Sequence, residues 1–222
     1  MPTITALTPH IRKADRYHVQ VDGEPLVVTE GAPPVVVDAA LILELKLRAG
    51  VPYTPELALQ VAEGALRVHA LDRALTALAR RSHSAMELRR SLARKEIPRA
   101  VVDDVIDRLA AIGLVDDLAF ARGFALSRLV GRGQGAMRVR AELSRRGVSR
   151  GEAERAVASV LEEEEVDVLG QVRRLAARRL QSLSKLEPAV QRRRLTAFLL
   201  RRGFDGASVR TALQELLPGR GY

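Results

Sequence analysis

The stretches Leu92-Ala-Arg-Lys-Glu-Ile97, Leu143-Ser-Arg-Arg-Gly-Val148 and Leu199-Leu-Arg-Arg-Gly-Phe204 share one pattern. Each has a leucine, one variable residue, a basic pair, a turn residue and an apolar residue. The leading leucines stand at 92, 143 and 199, so the steps are 51 and 56 residues. Self-similarity at such a spacing is the signature of a repeat architecture. Repeat arrays usually present an extended surface to a long partner rather than a catalytic pocket.

The match continues on both sides of these stretches. Apolar residues recur at three further sets of equivalent positions: Leu88, Val139 and Leu195; Val102, Ala153 and Val209; and Leu109, Val160 and Leu216. Their helical spacing turns one side of each helix inward. One unit of three short helices would bury little surface by itself, so we expect stacked units to share a core.

Capping signals mark where these helices begin. Ser84-x-x-Glu87 and Ser149-x-x-Glu152 are capping boxes, Asp116 or Asp117 caps another helix, and Gly133-Gln-Gly135 is a turn between helices. We therefore predict a mainly α protein, built as a tandem repeat of three three-helix units. The expected units are residues 70–115, 116–164 and 165–222.

The N-terminal residues 1–69 predict a small β-containing (α+β) extension. Short strands are expected over residues 4–7, 17–21, 26–29 and 35–37, with a hairpin turn at Asp22-Gly23. Asp38 is the expected N-cap of a helix over residues 39–49. Thr54-Pro55 is the expected start of a second helix that runs towards Leu78.

Charge is distributed unevenly along the chain. The net charge is +9, from 36 Lys/Arg and 27 Asp/Glu. Residues 1–69 hold six basic and eight acidic residues, which leaves 30 and 19 for residues 70–222. The repeats therefore carry the basic surface. A basic balance of this size favours a polyanion or an acidic protein as the partner.

The basic pairs Arg94-Lys95, Arg145-Arg146 and Arg201-Arg202 have a structural explanation. Cations in the last turn of a helix complement its negative end by about 0.3–1 kcal/mol, and the glycine that follows supplies a left-handed residue. Glu96 stands where the other units have glycine. The first unit must end its helix differently there or carry strain of about 1 kcal/mol.

The functional interpretation adds the arginines around these pairs, because charges this dense repel one another unless an anionic partner is present. Phosphate contacts of this kind would be sensitive to salt and independent of sequence. The predicted binding face for an anionic partner comprises Arg89, Arg94, Lys95, Arg138, Arg140, Arg145 and Arg146, with Arg192, Arg193, Arg201 and Arg202 as second choice.

Catalytic, metal and cofactor sites are not expected. The four histidines have no metal-ligand spacing, cysteine is absent, and no nucleophile pairs with a base. Residues 131–135 are glycine-rich but lack the Gly-Lys-Ser/Thr of a phosphate loop. Neither a signal peptide nor an apolar run of about 20 residues is present, so we expect a cytoplasmic protein. We also expect it to be a monomer and not an enzyme.

The segment Gly113-Leu-Val-Asp-Asp-Leu-Ala-Phe-Ala121, followed by Gly135 and residues 143–148, resembles the RecX family of recombination regulators. The resemblance covers about residues 70–217. The family motif residues carry over as Asp116, Asp117, Phe120, Ala121, Gly135 and Gly147, and their residue types suit caps, packing and turns. The chain departs from the family pattern at Glu96 and Val115.

This resemblance implies a modulator, usually an inhibitor, of the RecA recombinase filament on single-stranded DNA, with a part in DNA repair and the SOS response. It implies effects on the RecA ATPase, strand exchange and coprotease activities. Two other interpretations stay open. One is a helix-turn-helix-like protein that binds DNA without RecA, including duplex DNA. The other is a scaffold for an acidic protein, in which the basic face has no connection with DNA.

Overall fold

The computed structural model describes residues 1–28 and 33–217 and forms two compact units. The first unit comprises Met1–Ser82 and Leu88–Leu114, and the second comprises His83–Glu87 and the chain from Val115 onward. The described residues contain four strands and ten helices. The mainly α architecture with a small N-terminal sheet confirms the predicted fold class.

The first unit opens with an antiparallel sheet. Its strands are β1 (Ile4–Pro9), β2 (Arg16–Val21), β3 (Glu24–Pro25) and β4 (Val36–Asp38). β2 is central, with β1 on one edge and both β3 and β4 on the other. Asp22 and Gly23 both have positive φ, at 50° and 88°, as a type I′ hairpin turn requires.

The predicted return strand over residues 26–29 is wrong for its described part. β3 ends at Pro25, and residues 26–28 form no strand, while Thr29 lies outside the described residues. The reason is competition for one edge, because β4 pairs with β2 at Tyr17 and His18 and leaves β3 only the end of that strand.

Two helices follow the sheet, α1 (Ala39–Glu44) and α2 (Pro55–Leu78). Their predicted N-caps are confirmed, because Asp38 accepts a hydrogen bond from the Leu41 amide and Thr54 accepts one from the Leu57 amide.

The predicted C-terminal end of α1 at residue 49 is wrong. Lys46 adopts a positive φ of 51°, and the Leu47 amide donates to the Ile42 carbonyl at 2.9 Å. This i to i−5 bond is a Schellman ending. Because Leu47 is buried, the segment that follows α1 packs against the core.

The first unit is completed by α3 (Ala85–Ala93), whose opening turn belongs to the second unit, and α4 (Arg99–Ala111). One core lies between the sheet, α1 and α2, and includes Ile4, Val19 and Val61. The repeat positions Leu88 and Leu92 are also fully buried.

The second unit contains six further helices, two groups of three in sequence. They are α5 (Asp117–Leu129), α6 (Ala136–Arg145) and α7 (Arg150–Glu163), then α8 (Val168–Gln181), α9 (Pro188–Arg201) and α10 (Gly206–Leu216). Each group encloses its own core. The capping box at Ser149 and Glu152 has both of its hydrogen bonds, as predicted.

The repeated sequence pattern proves to be a helix ending. The Val148 amide donates to the Leu143 carbonyl, and the Phe204 amide donates to the Leu199 carbonyl. Between them, Gly147 and Gly203 have φ of 87° and 90°. These two stretches are thus Schellman motifs, in which the first leucine and the closing apolar residue lie in the same core.

Candidate polyanion interface

The two basic residues of a pair have different environments in the second unit. Arg145 and Arg201 end their helices with exposed side chains, whereas Arg146 and Arg202, the C-cap residues, are half-buried. Helix geometry produces this difference, because successive residues of the last turn point about 100° apart around the helix axis. The first member of each pair is therefore the better placed for a partner.

Arg146 is held by two contacts within the protein. Its guanidinium lies over the Phe124 ring, 4.8 Å from the ring centroid, and forms an ion pair with the Glu87 carboxylate. Arg128 lies over the same ring at 4.9 Å and reaches Glu142 at 3.7 Å. These contacts give Arg146 a packing role.

Arg202 repeats this arrangement around a different aromatic ring. Its guanidinium lies 5.4 Å from the centroid of Phe198, and that of Arg179 lies 5.7 Å from the same centroid. Cation–π contacts at exposed sites contribute about 0.5–1 kcal/mol each. The protein thus uses two of its four phenylalanines to hold arginines in place.

Arg138 and Arg140 both lie on α6 but have different surroundings. Arg138 donates to Glu142 at 2.9 Å and to the Arg201 carbonyl at 3.4 Å. Arg140 is half-buried, and its Nε has no hydrogen-bond partner among the described residues. It lines a cavity of about 280 Å³ together with Gln134, whose Oε1 likewise finds no partner within the described chain.

The α9 arginines divide in the same way. Arg192 donates to the Leu217 carbonyl at 3.1 Å and so satisfies the end of α10. Arg193 and Arg194 are exposed and form no ion pair with any described carboxylate. The predicted face did not include Arg194, although it is a neighbour of Arg193 and is exposed as well.

The first unit holds the three remaining predicted residues. Arg89 is paired with Asp103 at 2.9 Å and with Asp107 at 3.4 Å, and this pairing lowers the pKa of Asp103. Arg94 and Lys95 follow the end of α3 with exposed side chains, and neither meets a carboxylate in the part of the chain that the structure describes. Glu96 adopts a φ of 59°, so this helix ends with the same left-handed turn without a glycine.

Helix α6 begins directly on the end of α9. The Gly135 amide donates to the Arg202 carbonyl at 2.9 Å, and the Met137 amide donates to the Gly203 carbonyl at 3.0 Å. A Cβ added to Gly135 would overlap the Gly203 backbone. The positive end of one helix thus meets the negative end of the other, which satisfies amides and carbonyls that helix ends otherwise leave open.

The first turn of α3 meets the end of α6 in a similar way. The Ser84 hydroxyl donates to the Arg146 carbonyl at 2.5 Å, and a Cβ on Gly147 would overlap Met86. Ser84 also accepts a hydrogen bond from the Glu87 amide. One serine therefore caps its own helix and closes the end of another, which a local sequence signal cannot reveal.

The residues carried over from the family pattern have structural roles. Asp116 caps α5 by accepting a hydrogen bond from the Ala119 amide, and Asp117 accepts one from the Ala85 amide at 2.8 Å. Phe120 and Ala121 are buried in the α5–α7 core. Both aspartates thus accept amide hydrogen bonds at helix starts, and across residues 1–28 and 33–217 no three His, Asp or Glu side chains converge as ligands.

Comparison with protein-family models gives three consecutive matches, described as the first, second and third three-helix domains of RecX. They cover residues 70–109, 116–157 and 165–213. A protein named Regulatory protein RecX from Halorhodospira halophila is 43% identical over 143 residues, which are 64% of this chain and 84% of the relative. The chain belongs to the RecX family. The resemblance inferred from the motif is therefore confirmed.

Further RecX relatives agree with this assignment. Regulatory protein RecX from Pelodictyon phaeoclathratiforme is 35% identical over 151 residues, covering 68% of this chain and 91% of the relative. A crystal structure of a regulatory protein RecX matches with a TM-score of 0.78 at 16% identity, covering 96% of this chain and 98% of the other. RecX from Lactobacillus salivarius matches with a TM-score of 0.61 at 19% identity, covering 68% and 96%. At such identities these structures establish the RecX fold.

Residues 1–69 lie outside the three domain matches. The first match begins within α2, so the helix continues from the extension into the first RecX domain. Among the described helices, each is too short or too polar to cross a bilayer.

Proposed function

We propose that this protein is a non-enzymatic regulator that binds the RecA–single-stranded DNA filament and inhibits its ATPase, strand-exchange and coprotease activities. Membership in a family of regulatory proteins supports the class of function. The cytoplasm, where bacterial DNA lies, is the compartment that this function requires, and a monomer is the form we expect to act.

The observation that carries the proposal is the recurrence of exposed cations at the same place in each repeat. Arg94, Arg145 and Arg201 all stand at the end of the corresponding helix with exposed side chains. A cation that recurs in every repeat suits a partner whose negative charge also recurs, and a nucleic-acid strand has one phosphate about every 3.4 Å along the duplex axis. We name these three residues the repeat-end cations.

The other residues of the predicted face fall into two groups, those with exposed side chains and those bonded or buried within the protein. Lys95 and Arg193 join the repeat-end cations as direct contacts, because both side chains are exposed. The internally bonded arginines act by shaping the surface that presents them: Arg89, Arg138, Arg146, Arg192 and Arg202. Arg140 is half-buried beside a cavity and adds its positive charge to the potential of this face without touching the partner.

The domain organisation that we propose has four parts. Residues 1–69 form the extension, and residues 70–115, 116–164 and 165–222 form the three repeats. A repeat array of this kind gains binding strength from simultaneous contacts, each of them individually weak. Removal of one cation should therefore have a smaller effect than removal of two from different repeats.

The test is binding to three targets at several salt concentrations: RecA filaments on single-stranded DNA, single-stranded DNA alone, and duplex DNA. The proposal predicts the tightest binding to the filament. Equal affinity for the filament and the naked DNAs would favour the helix-turn-helix-like alternative. Binding to RecA alone, with no effect of DNA, would favour a scaffold for an acidic protein.

A further inference from the structure

The first unit contains a basic cleft that the repeat pattern does not predict. It has a volume of about 400 Å³ and lies beside the C-terminal half of α2 and the buried side of α3. Four cations line it, one from the extension, two from the α2 region and one after α3: Lys13, Arg73, Arg80 and Lys95. We call these residues and the space between them the α2–α3 cleft.

Among the lining residues of the cleft there is one carboxylate, Asp72, and its negative charge is balanced by two cations. Asp72 accepts hydrogen bonds from Lys13 at 2.5 Å and from Arg16 at 2.8 Å. Burial acts to raise the pKa of Asp72, but these hydrogen bonds and the two cations outweigh it and lower the pKa. Asp72 therefore stays ionised at neutral pH and ties the extension to α2, and its charge is balanced before any ligand enters.

Arg73 is fixed in orientation by a neutral neighbour. Its Nε donates to Nε2 of His69 at 3.0 Å, which requires an unprotonated acceptor. Burial, followed by the charge of Arg73, lowers the pKa of His69 and keeps the acceptor neutral. The two terminal nitrogens of Arg73 have no carboxylate partner in the described chain, so they are available to a ligand.

The balance of charge in the cleft is positive. Four cations face one carboxylate and the ends of two helices, each of which contributes about half a negative charge. The positive charge of the four cations therefore exceeds the negative charge around them by roughly two elementary charges. The floor consists of Leu88 and Leu92, both fully buried. An apolar floor keeps the local dielectric low and strengthens attraction of an anion.

We propose that the α2–α3 cleft binds consecutive phosphates of a nucleic-acid strand. Arginine, lysine and hydroxyl donors are the groups that contact nucleic-acid backbones, and the hydroxyls of Thr76 and Ser91 also line the cleft. A strand supplies several closely spaced charges, as an excess of two requires, whereas a single carboxylate supplies one. The inference rests on the proposed function for the source of the strand, the DNA of the filament.

This site gives the N-terminal extension a role in binding. Lys13 comes from the extension, and Lys95 belongs to the basic pair of the first repeat. The cleft therefore joins a segment outside the RecX domain matches to a residue of the predicted face. Both contributions lie within the first unit.

The experiment compares Arg73→Gln/Arg80→Gln with Lys46→Gln/Arg48→Gln, which removes the same charge from exposed positions outside the cleft. Binding of fluorescent oligo-dT is followed by anisotropy from 50 to 300 mM salt, without RecA. Loss of two phosphate contacts should lower the log–log salt slope by about 1.4, from about 0.7 per contact, and weaken binding roughly tenfold or more at low salt. The control should keep the wild-type slope apart from a small uniform loss.

Arg80→Gln alone serves if the double variant is unstable, because Arg80 lies after the end of α2 and has no ion-pair partner within the described residues. Its slope should fall by about 0.7. An unchanged slope, or equal losses in test and control variants, would overturn the cleft as a site. The cleft would also be rejected as a nucleic-acid site if the cleft variant lost binding to a fluorescent oligo-glutamate as much as to oligo-dT. That result would identify an acidic polypeptide as the ligand.

The same measurements separate this inference from the proposed function. A cleft variant that loses DNA binding, in a protein that has no effect on RecA, would sustain the site and reject the regulator. A cleft variant with wild-type DNA binding would reject the site, whatever the effect on RecA.

Discussion

Single residues at the helix ends show how the repeat pattern is enforced. Gly147 and Gly203 have left-handed backbones that cost glycine nothing, while Glu96 holds the same conformation with a side chain. Non-glycine residues pay roughly 1–2 kcal/mol for this region. The first repeat therefore keeps the common geometry at the expense of strain, which resolves the two alternatives that the sequence left open.

Glu96→Gly should stabilise the first unit by about 1 kcal/mol, since the strain disappears and the left-handed turn stays. The matched control is Glu63→Gly, the same substitution at an exposed position inside α2. It should destabilise by about 1 kcal/mol, because glycine weakens a helix interior. Urea denaturation followed by circular dichroism measures both. A lower midpoint for Glu96→Gly would contradict the strain argument.

Asp72→Asn should lower stability at neutral pH and have little effect in acid. The folded-state pKa of Asp72 lies below the ordinary value of 3.8, so its ionised form stabilises the fold fully above that value. That contribution is lost as the pH falls through the folded pKa. The difference between the urea midpoints of the two proteins should hold from pH 7 to about pH 4 and narrow as the pH falls towards about 3. A constant difference across this range would show that Asp72 acts through packing rather than charge.

Elements are joined in this protein by glycine at the point of closest approach. The start of α6 lies against the end of α9, with Gly135 over the Gly203 backbone. The start of α3 meets the end of α6 through Ser84 and Gly147. These contacts place Arg202 beside the start of α6 and Arg146 beside the start of α3, so a change at either junction would also move the predicted face.

Gly135→Ala should destabilise the second unit by about 1–3 kcal/mol, the usual cost of overpacking, because its Cβ would meet backbone that cannot yield. Gly123→Ala is the control, since Gly123 lies inside α5 and an added Cβ would have nothing within 4 Å. It should stabilise by about 0.5–1 kcal/mol. Thermal unfolding of the three proteins checks both signs. An unaffected Gly135→Ala protein would mean that the junction is looser than described.

Local signals predicted most of the elements because caps act over three or four residues. Thr54, Asp116 and Ser149 all accept the expected amide hydrogen bonds. The failures came from competition at longer range. Residues 26–28 form no strand because β4 pairs with that edge of β2. Helix α1 is shorter than predicted because Leu47 packs into the core.

The predicted face was harder to divide from sequence, because pairing depends on the tertiary fold. Arg146 and Arg145 are neighbours with the same side chain, yet only the contacts with Phe124 and Glu87 reveal that Arg146 is packed. The α2–α3 cleft was missed for the same reason. Lys13 and Lys95 are 82 positions apart in the sequence and come together only through the fold.

Over the whole molecule, filament binding should depend on the exposed cations of the predicted face, and the third repeat offers two of them. Arg193→Gln/Arg201→Gln removes two exposed cations of the third repeat. It should weaken filament binding and reduce its salt dependence, with unfolding unchanged. Arg150→Gln/Arg155→Gln removes the same charge from exposed positions on α7 and should bind nearly as the wild type does. Co-sedimentation with RecA filaments at several salt concentrations makes this comparison, and indistinguishable variants would argue against a specific face.

The most direct test of the central claim is the RecA ATPase on single-stranded DNA, with this protein titrated in at fixed salt. We expect a fall in ATPase rate for the wild type, and a weaker fall for Arg193→Gln/Arg201→Gln than for Arg150→Gln/Arg155→Gln. An ATPase rate that stays constant throughout the titration, with DNA binding retained, would contradict the proposal of a filament inhibitor.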